Sequence, residues 1–461
     1  MTIKLPVPAP LDPGFQSLVL VWQAYQQEVA SAPQTQRFVC AIERSGGARS
    51  PWEARILPDD VQQERTVQLL DRLIKGLLWC RGGYRIYVSG SRAVYEHLKA
   101  VYQPGGARAF DAGFMARVYE KPFEVIWTED ADSIAQAKEY PSAVGRHLNG
   151  CRIGFDAGGS DRKVSAVIDG EAVYSEEVVW HPKITANPRY HYEGILSAMQ
   201  TAASHMPRVD GIGVSSAGVY VDNRIMVASL FLQVSPEDFE QHVKSMYIDI
   251  AREIGDVPLV VANDGDVTAL AGAMNLNAGN VLGIAMGTSE AGGYVDHQMH
   301  ITGWLNELAF VPVDYSPASM VDEWSGDYGC GVKYFSQDGA IKLAPAAGIQ
   351  LEAGLSPAEK LKVIQQHLEE GHVGARQIFE TIGVYFGYAV AYYSMFYEVD
   401  HVLIMGRVTS GKGGPLILEN AQKVLDQVFP ELARGIQLNI PDEKSRRVGQ
   451  SVAAASLPEI G

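Results

Sequence analysis

Three short stretches each close an apolar run with small or acidic residues. Asp156-Ala157-Gly158-Gly159-Ser160 follows CRIGF. A carboxylate ending a strand can hold a metal through water, and glycines let backbone N–H groups approach phosphate oxygens. By itself D-x-G-G also reads as a plain hairpin turn. Gly287-Thr288-Ser289-Glu290-Ala291-Gly292-Gly293 is a second glycine-rich turn after an apolar run. Two such turns in one chain could each wrap one end of a triphosphate. Asn263-Asp264-Gly265-Asp266 stands between VPLVVA and the small-residue run VTALAGA. A carboxylate at a strand-to-helix junction can cap the helix. It can equally face the carboxyl ends of the strands, where α/β proteins bind ligands. There it would take the proton from an alcohol attacking a phosphate.

A fourth stretch, HVLIMGRVTSGKGG at 401–414, approaches the nucleotide-binding pattern G-x-x-x-x-G-K-[ST]. That pattern needs a hydroxyl after the lysine for magnesium, and Gly413 stands there, so Lys412 reads as a solvated loop residue. His297 and His300 in DHQMH are three apart. On a strand that spacing sends them to opposite faces, so they read as solvated hairpin residues and not as a metal pair. The aromatic run VYFGYAVAYYSMFY (384–397) reads at helical spacing as a core helix, with a pocket lining as the alternative.

The elements that position these residues begin at Cys151. CRIGFDAGGSDRKVSAVIDGEAVY reads as a strand, a turn at GGSD and a returning strand, with DGE as the next turn. A helix is expected over 193–205, a strand and glycine turn at GIGVSSAGVYV and a helix over 237–254. VPLVVA is a buried strand running into a helix, and 281–301 is a second hairpin. Residues 356–397 read as mostly helical and end in a strand at 401–405. The first 150 residues show helical stretches at 59–80 and 92–102 and strands at 37–43, 84–90 and 123–129. No constellation that bears chemistry stands out there.

The chain has 461 residues, 47% of them hydrophobic and 20% charged, with 46 glycines, which suits an α/β protein. Residues 1–150 carry 17 Lys+Arg against 16 Asp+Glu, and residues 151–461 carry 21 against 38. Such an acidic balance repels nucleic-acid backbones. The four cysteines are far apart, with no C-x-x-C, which points to reduced thiols in a cytosolic setting. The proline-broken start MTIKLPVPAPLDPGF lacks the apolar core of a signal peptide. No apolar run approaches a membrane span.

In order and spacing the motifs resemble the sugar kinase, Hsp70 and actin superfamily of ATPases, and within it the ROK family of sugar kinases. The resemblance covers roughly 150–461. DAGGS is similar to that family's first phosphate motif, GIGVSSAGVYVDNRI to its glycine-turn segment and VPLVVANDGDVTALAGA to the segment with the catalytic aspartate. LGIAMGTSEAGGYV resembles the second phosphate motif, HITGWLNELAF lies where the family has G-E-x-G-H, and VGQSVAAASLP resembles the closing helix.

The resemblance implies an α/β, two-lobed actin-like ATPase (ribonuclease H-like) fold with an additional N-terminal α+β domain. It implies 1–148 as that added domain, 149–272 with the C-terminal helix 445–461 as the first lobe, and 273–444 as the second. The lobes would close over ATP–Mg²⁺ and a sugar. Asp264 would be the general base, and Asn263, Glu307 and Ser216 substrate contacts. Asp156 would place Mg²⁺ through water. Gly158, Gly159, Ser160, Gly287, Thr288 and Ser289 would hold phosphates, and Gly406 would pack near the adenosine. A homodimer is also implied.

Departures from the family cluster at the substrate end. Glu307 matches the motif glutamate, but Ala309 and Phe310 replace the glycine and histidine that follow it. The family's zinc-binding cysteine cluster falls near SGDYGCGVKYF, where Cys330 stands alone, and the second sugar-binding glutamate maps to Val332. Four-ligand zinc is therefore not expected. Two functions follow: an ATP-dependent kinase for a sugar or sugar-like alcohol, or a non-catalytic sensor on the same fold. The ROK repressors carry an N-terminal helix-turn-helix, and the near-neutral first 150 residues show no clear one.

Overall fold

The computed structural model describes residues 3–139, 144–441 and 443–460. Its chain groups into two units. One comprises Met1–Tyr140, Ile284–Gly292 and Trp304–Ile440, the other Pro141–Gly283, Gly293–Gly303 and Pro441–Gly461. Of the ranges expected from the sequence, residues 1–2, 140–143, 442 and 461 lie outside the described residues.

The first unit opens with a four-stranded sheet of β1 (Gln36–Glu43), β2 (Arg49–Ile56), β3 (Arg85–Ser89) and β4 (Glu124–Trp127), in the order β2-β1-β3-β4. β1 runs antiparallel to both its neighbours, and β3 and β4 are parallel. The expected βα unit at 84–102 is β3 and the helix Arg92–Val101, capped by Ser91 through Val94 N–H. Helix Gln63–Arg81 is buried on every side from Leu69 to Cys80, its leucines packing alongside Asp71, Arg72 and Lys75, as in a helix inside a core. β2 and the helices Leu18–Ser31 and Ala109–Tyr119 are not evident from the sequence pattern. β2 contains Pro51 and Ala109–Tyr119 is rich in small residues, while helix Leu18–Ser31 opens on the unbroken apolar run LVLVW, which hides its period.

The second unit is built on β5 (Cys151–Ala157), β6 (Asp161–Ile168), β7 (Glu171–Val179), β8 (Gly211–Ser216), the ribbon β9 (Val219–Val221) with β10 (Arg224–Val227), and β11 (Leu259–Asn263). Its main sheet runs β11-β8-β5-β6-β7. β11, β8 and β5 are parallel, and β6 and β7 extend the sheet antiparallel. β5 is buried along its whole length, as a strand covered on both faces must be. Helix Glu443–Ala455 lies so close to one face that a Cβ at Gly154 or Gly213 would overlap the Ser451 or Ala454 carbonyl oxygen.

Three expectations need correcting here. The helix expected over 193–205 is Pro188–Ala203, begun a turn earlier by Asn187 as cap and Pro188 at the first helical position. The helix expected over 237–254 is broken: a π-turn over Phe239–Val243, with Lys244 N–H donating to Phe239 O at 2.9 Å, precedes helix Met246–Ile254. His297 and His300 do not stand on a strand, so the opposite-face argument does not apply to them. Asp296 ends the strand by accepting the N–H groups of Gln298 and His300 at 2.9 Å each, folding DHQMH into a turn.

The last sheet has β12 (Val281–Met286), β13 (Glu290–Val295), β14 (His401–Met405) and β15 (Gln437–Asn439), in the order β13-β12-β14-β15. The aromatic run forms part of helix Val373–Tyr393, with Tyr385, Tyr388, Tyr392 and Tyr393 all buried, so it is core. Among the described residues no helix is long and apolar enough to cross a membrane.

Candidate functional site

Register decides what the second unit brings together. Asp156 pairs with Ser215 and Ala157 with Ser216 across β5 and β8. Asn263 pairs with Ser216 across β8 and β11. The carboxyl ends of three parallel strands therefore set Ala157, Ser216 and Asn263 in one row, with Asp156 beside Ser215 one residue back and Asp264 next in the chain after Asn263. In open parallel sheets this is the ligand edge.

Each residue there has defined neighbours. Asp156 is 5% exposed; its Oδ1 accepts from Ser215 Oγ at 2.9 Å, and Lys163 Nζ lies 3.8 Å from Oδ2. Burial pushes the Asp156 carboxyl up to about 6, against the pull of Lys163 and the Ser215 hydroxyl, and the nearby Asp264 charge adds to the rise. Ser216 is fully buried, and its Oγ accepts from Tyr220 at 2.6 Å and Tyr247 at 3.2 Å.

Asn263 caps helix Asp264–Leu276: its Oδ1 accepts Gly265 N–H at 2.7 Å, and its Nδ2 donates to Gly218 O at 2.7 Å. Asp264 is half-buried and accepts the same Gly265 N–H at 3.0 Å. Desolvation raises its carboxyl above the usual aspartate value, opposed by that backbone bond and by the charge of Lys183. Asp266, two residues on, is buried and accepts Tyr294 N–H at 3.0 Å, which commits it to holding β13.

The turn after β5 is shaped by a residue outside the motif. Trp180 donates its indole N–H to Gly158 O at 2.8 Å and its backbone N–H to Ser160 O at 3.1 Å. Both carbonyls thus point toward Trp180. Ser160 Oγ donates to Asp161 at 3.1 Å.

The first unit holds the remaining candidates. Gly287 N–H donates to Ser289 O at 2.9 Å and closes the tight turn that exposes Thr288 and Ser289. Gly406, at φ 98°, lies against the Met286 carbonyl, where any Cβ would overlap it. The structure therefore sets Gly406 beside the 287–289 turn. Lys412 stands at the start of helix Gly413–Val428, more than half exposed, with its Nζ 3.2 Å from Glu369.

Glu307 N–H donates to Trp79 O at 3.1 Å, and its side chain is half-buried. Phe310 packs on Trp79 at 4.3 Å between ring centroids and on Phe110 at 5.5 Å, while Val332 is buried with Ala309 and Cys330. Cys330 Sγ lies 3.8 Å from Lys75 Nζ. Among the described residues, no group of three or more His, Cys, Asp or Glu stands together as metal ligands do.

Glu290, directly after the second turn, is not singled out by the glycine-rich pattern. It is 3% exposed, Tyr393 OH donates to its Oε1 at 3.4 Å, and its Oε2 has no hydrogen-bond partner among the described residues. Burial pushes its carboxyl up to about 8, with the nearby Glu307 charge adding to the rise. A glutamate inside a hydrophobic strand-turn pattern was the available signal.

No family model and no curated protein matches the sequence. Solved structures do match in fold. A ROK hexokinase from Thermus thermophilus is similar over 67% of this chain and 97% of its own, at 16% identity and a TM-score of 0.51. A ROK family transcriptional regulator, described as a homolog of the E. coli MLC protein, is similar over 67% of this chain and 79% of its own, at 18% identity and a TM-score of 0.50. At such identities the likeness establishes the fold: this chain has the α/β, actin-like ATPase fold of the ROK sugar kinases and regulators.

Proposed function

We propose that the protein is an ATP-dependent phosphotransferase acting on a hydroxyl of a sugar or sugar-like alcohol. The observation that carries this reading is the gathering of Asp156, Ser216, Asn263 and Asp264 at the carboxyl ends of three adjacent parallel strands. Asp264 is the base: it is the motif carboxylate not committed to holding another strand, and its raised carboxyl brings it closer to a general base's working range. Asn263, whose Oδ1 is spent on the helix cap, orients the substrate. Glu307 is a further substrate contact. Ser216 would meet substrate only by giving up a tyrosine partner.

Gly158, Gly159 and Ser160 form one phosphate turn and Gly287, Thr288 and Ser289 another, with Gly406 at the base and ribose. Asp156 fits Mg²⁺, since a hard cation takes carboxylate oxygens directly or through water, and a buried carboxylate raised to about 6 gains from a cation nearby. Magnesium, when bound, neutralises phosphate charge. No zinc is called for. The proposal keeps 1–148 as an added domain, 149–272 with 445–461 as one lobe and 273–444 as the other. It also carries a cytoplasmic setting, a possible homodimer, and no nucleic-acid or membrane partner.

A second reading is a non-catalytic sensor on the same fold. It is favoured by Phe310, which at the position of the family histidine is packed against Trp79, Phe110 and Phe114. An assay for ADP release across a panel of sugars separates the two. Sugar-stimulated turnover abolished by Asp264→Asn supports the kinase. Turnover indifferent to that substitution would sink the mechanism. No turnover with any sugar, while ATP–Mg²⁺ still raises the Tm, favours the sensor.

A further inference from the structure

The segment after β7 is pinned to the first glycine turn. Trp180, 2% exposed, bonds both Gly158 O and Ser160 O. Pro182–Ile184 then form a 3₁₀ turn with Pro182 buried. His181 N–H donates to Tyr190 OH at 3.0 Å, and Thr185 Oγ1 donates to His181 O at 2.7 Å. His191, fully buried, places Nε2 3.2 Å from Thr185 O and stands edge-on to the Phe231 ring at 4.9 Å.

This scaffold holds Lys183, which the motifs do not include. Its Cε and Nζ lie 2.6 and 2.9 Å from where a Cβ at Gly159 would be, so the lysine tip lies over the turn. Its charge also reaches the Asp264 carboxyl. The side chain is exposed and has no hydrogen-bond or ion-pair partner among the described residues. An exposed lysine ordinarily trails into solvent. This one starts from a braced backbone and ends over a glycine turn.

From this placement we infer that Lys183 binds the transferred phosphoryl group. An ammonium offers three donors and a full charge to phosphate oxygens. Lying over the turn, with its charge felt at the base, it would meet the phosphate that the substrate attacks. In the step, the substrate oxygen bonds to the γ-phosphorus as the bond to the bridging oxygen breaks. The hydroxyl proton passes to the Asp264 carboxylate, and the electron pair leaves with the β-phosphate of ADP. Lys183 neutralises charge on the phosphoryl oxygens during this exchange. The inference rests on the phosphotransferase reading.

Calorimetric titration of wild type, Lys183→Ala and Lys183→Arg with ATP–Mg²⁺ and with ADP–Mg²⁺ tests it, alongside turnover. A γ-phosphate contact predicts that Lys183→Ala weakens ATP at least about 10-fold, as for a charged hydrogen bond, and leaves ADP within about twofold. It also predicts a fall in kcat of roughly 10²–10³-fold, partly restored by arginine. Lys183→Ala with an unchanged ATP-to-ADP affinity ratio overturns the assignment, and wild-type turnover then leaves the phosphotransferase reading standing. Wild-type protein that binds neither nucleotide and turns over no sugar overturns both.

Discussion

Asp264 and Asp266 share one helix start, yet their surroundings divide them. Asp266 accepts a backbone N–H from β13, while the Asp264 carboxyl accepts the Gly265 N–H at its own helix start. Asp264→Asn keeps the cap and removes the proton acceptor, so kcat should fall about 10²–10⁴-fold with little change in Tm, read by ADP release and thermal melts. Because burial raises the Asp264 carboxyl, the acid limb of kcat against pH should lie above the ordinary aspartate value near 3.8. Glu290 makes a different prediction. Its carboxyl binds a proton more tightly in the folded protein, with a value of about 8 against 4.5. The stability this gives is complete below about pH 4.5 and is lost as pH climbs through about 8. Glu290→Gln should therefore flatten the fall of Tm between pH 6 and 9, as followed by thermal melts across that range. A loss of Tm as steep as wild type would show that Glu290 is not the group responsible.

At the scale of elements, close approach decides what can change. Gly213 on β8 faces the last turns of helix Glu443–Ala455, and a methyl there overlaps the Ala454 carbonyl. Backbone cannot yield as a side chain does, so Gly213→Ala should destabilise by at least about 1–3 kcal/mol, the usual cost of overpacking, measured by denaturant titration. Gly406 combines positive φ with contact to the Met286 carbonyl beside the second turn. Gly406→Ala should weaken ATP–Mg²⁺ binding as well as stability. Apolar runs made the strands legible in the sequence, and glycine and acidic residues marked the ends of β5, β11 and β12. Register was not legible. That Ser216 lies between Ala157 and Asn263 depends on hydrogen bonds between segments more than 40 residues apart.

On the scale of the whole molecule, the segment around Cys330 is held by charge. Asp327 accepts from Arg72, Lys75 and Arg108, each at 2.6–2.7 Å, and Arg108 also pairs with Asp71. These cations draw the Asp327 carboxyl well below the usual aspartate range despite its burial. A depressed carboxyl contributes stability that is full above about pH 4 and is lost as pH falls toward its folded value. Asp327→Asn leaves three buried cations short of a partner and should cost about 3–5 kcal/mol near neutrality, less in acid, by urea titration at two pH values. In the sequence, the lone Cys330 gives no sign of this charge cluster. The sequence by itself determined the α/β class, the order of the turns and the candidate base, because hydrophobic period, glycine and acidic residues act locally. Only the tertiary structure decided which aspartate is spent on packing, that Trp180 shapes the first turn and sets Lys183 over it, and that Asp327 gathers three cations. Those depend on side chains far apart in the chain, whose meeting no local pattern encodes.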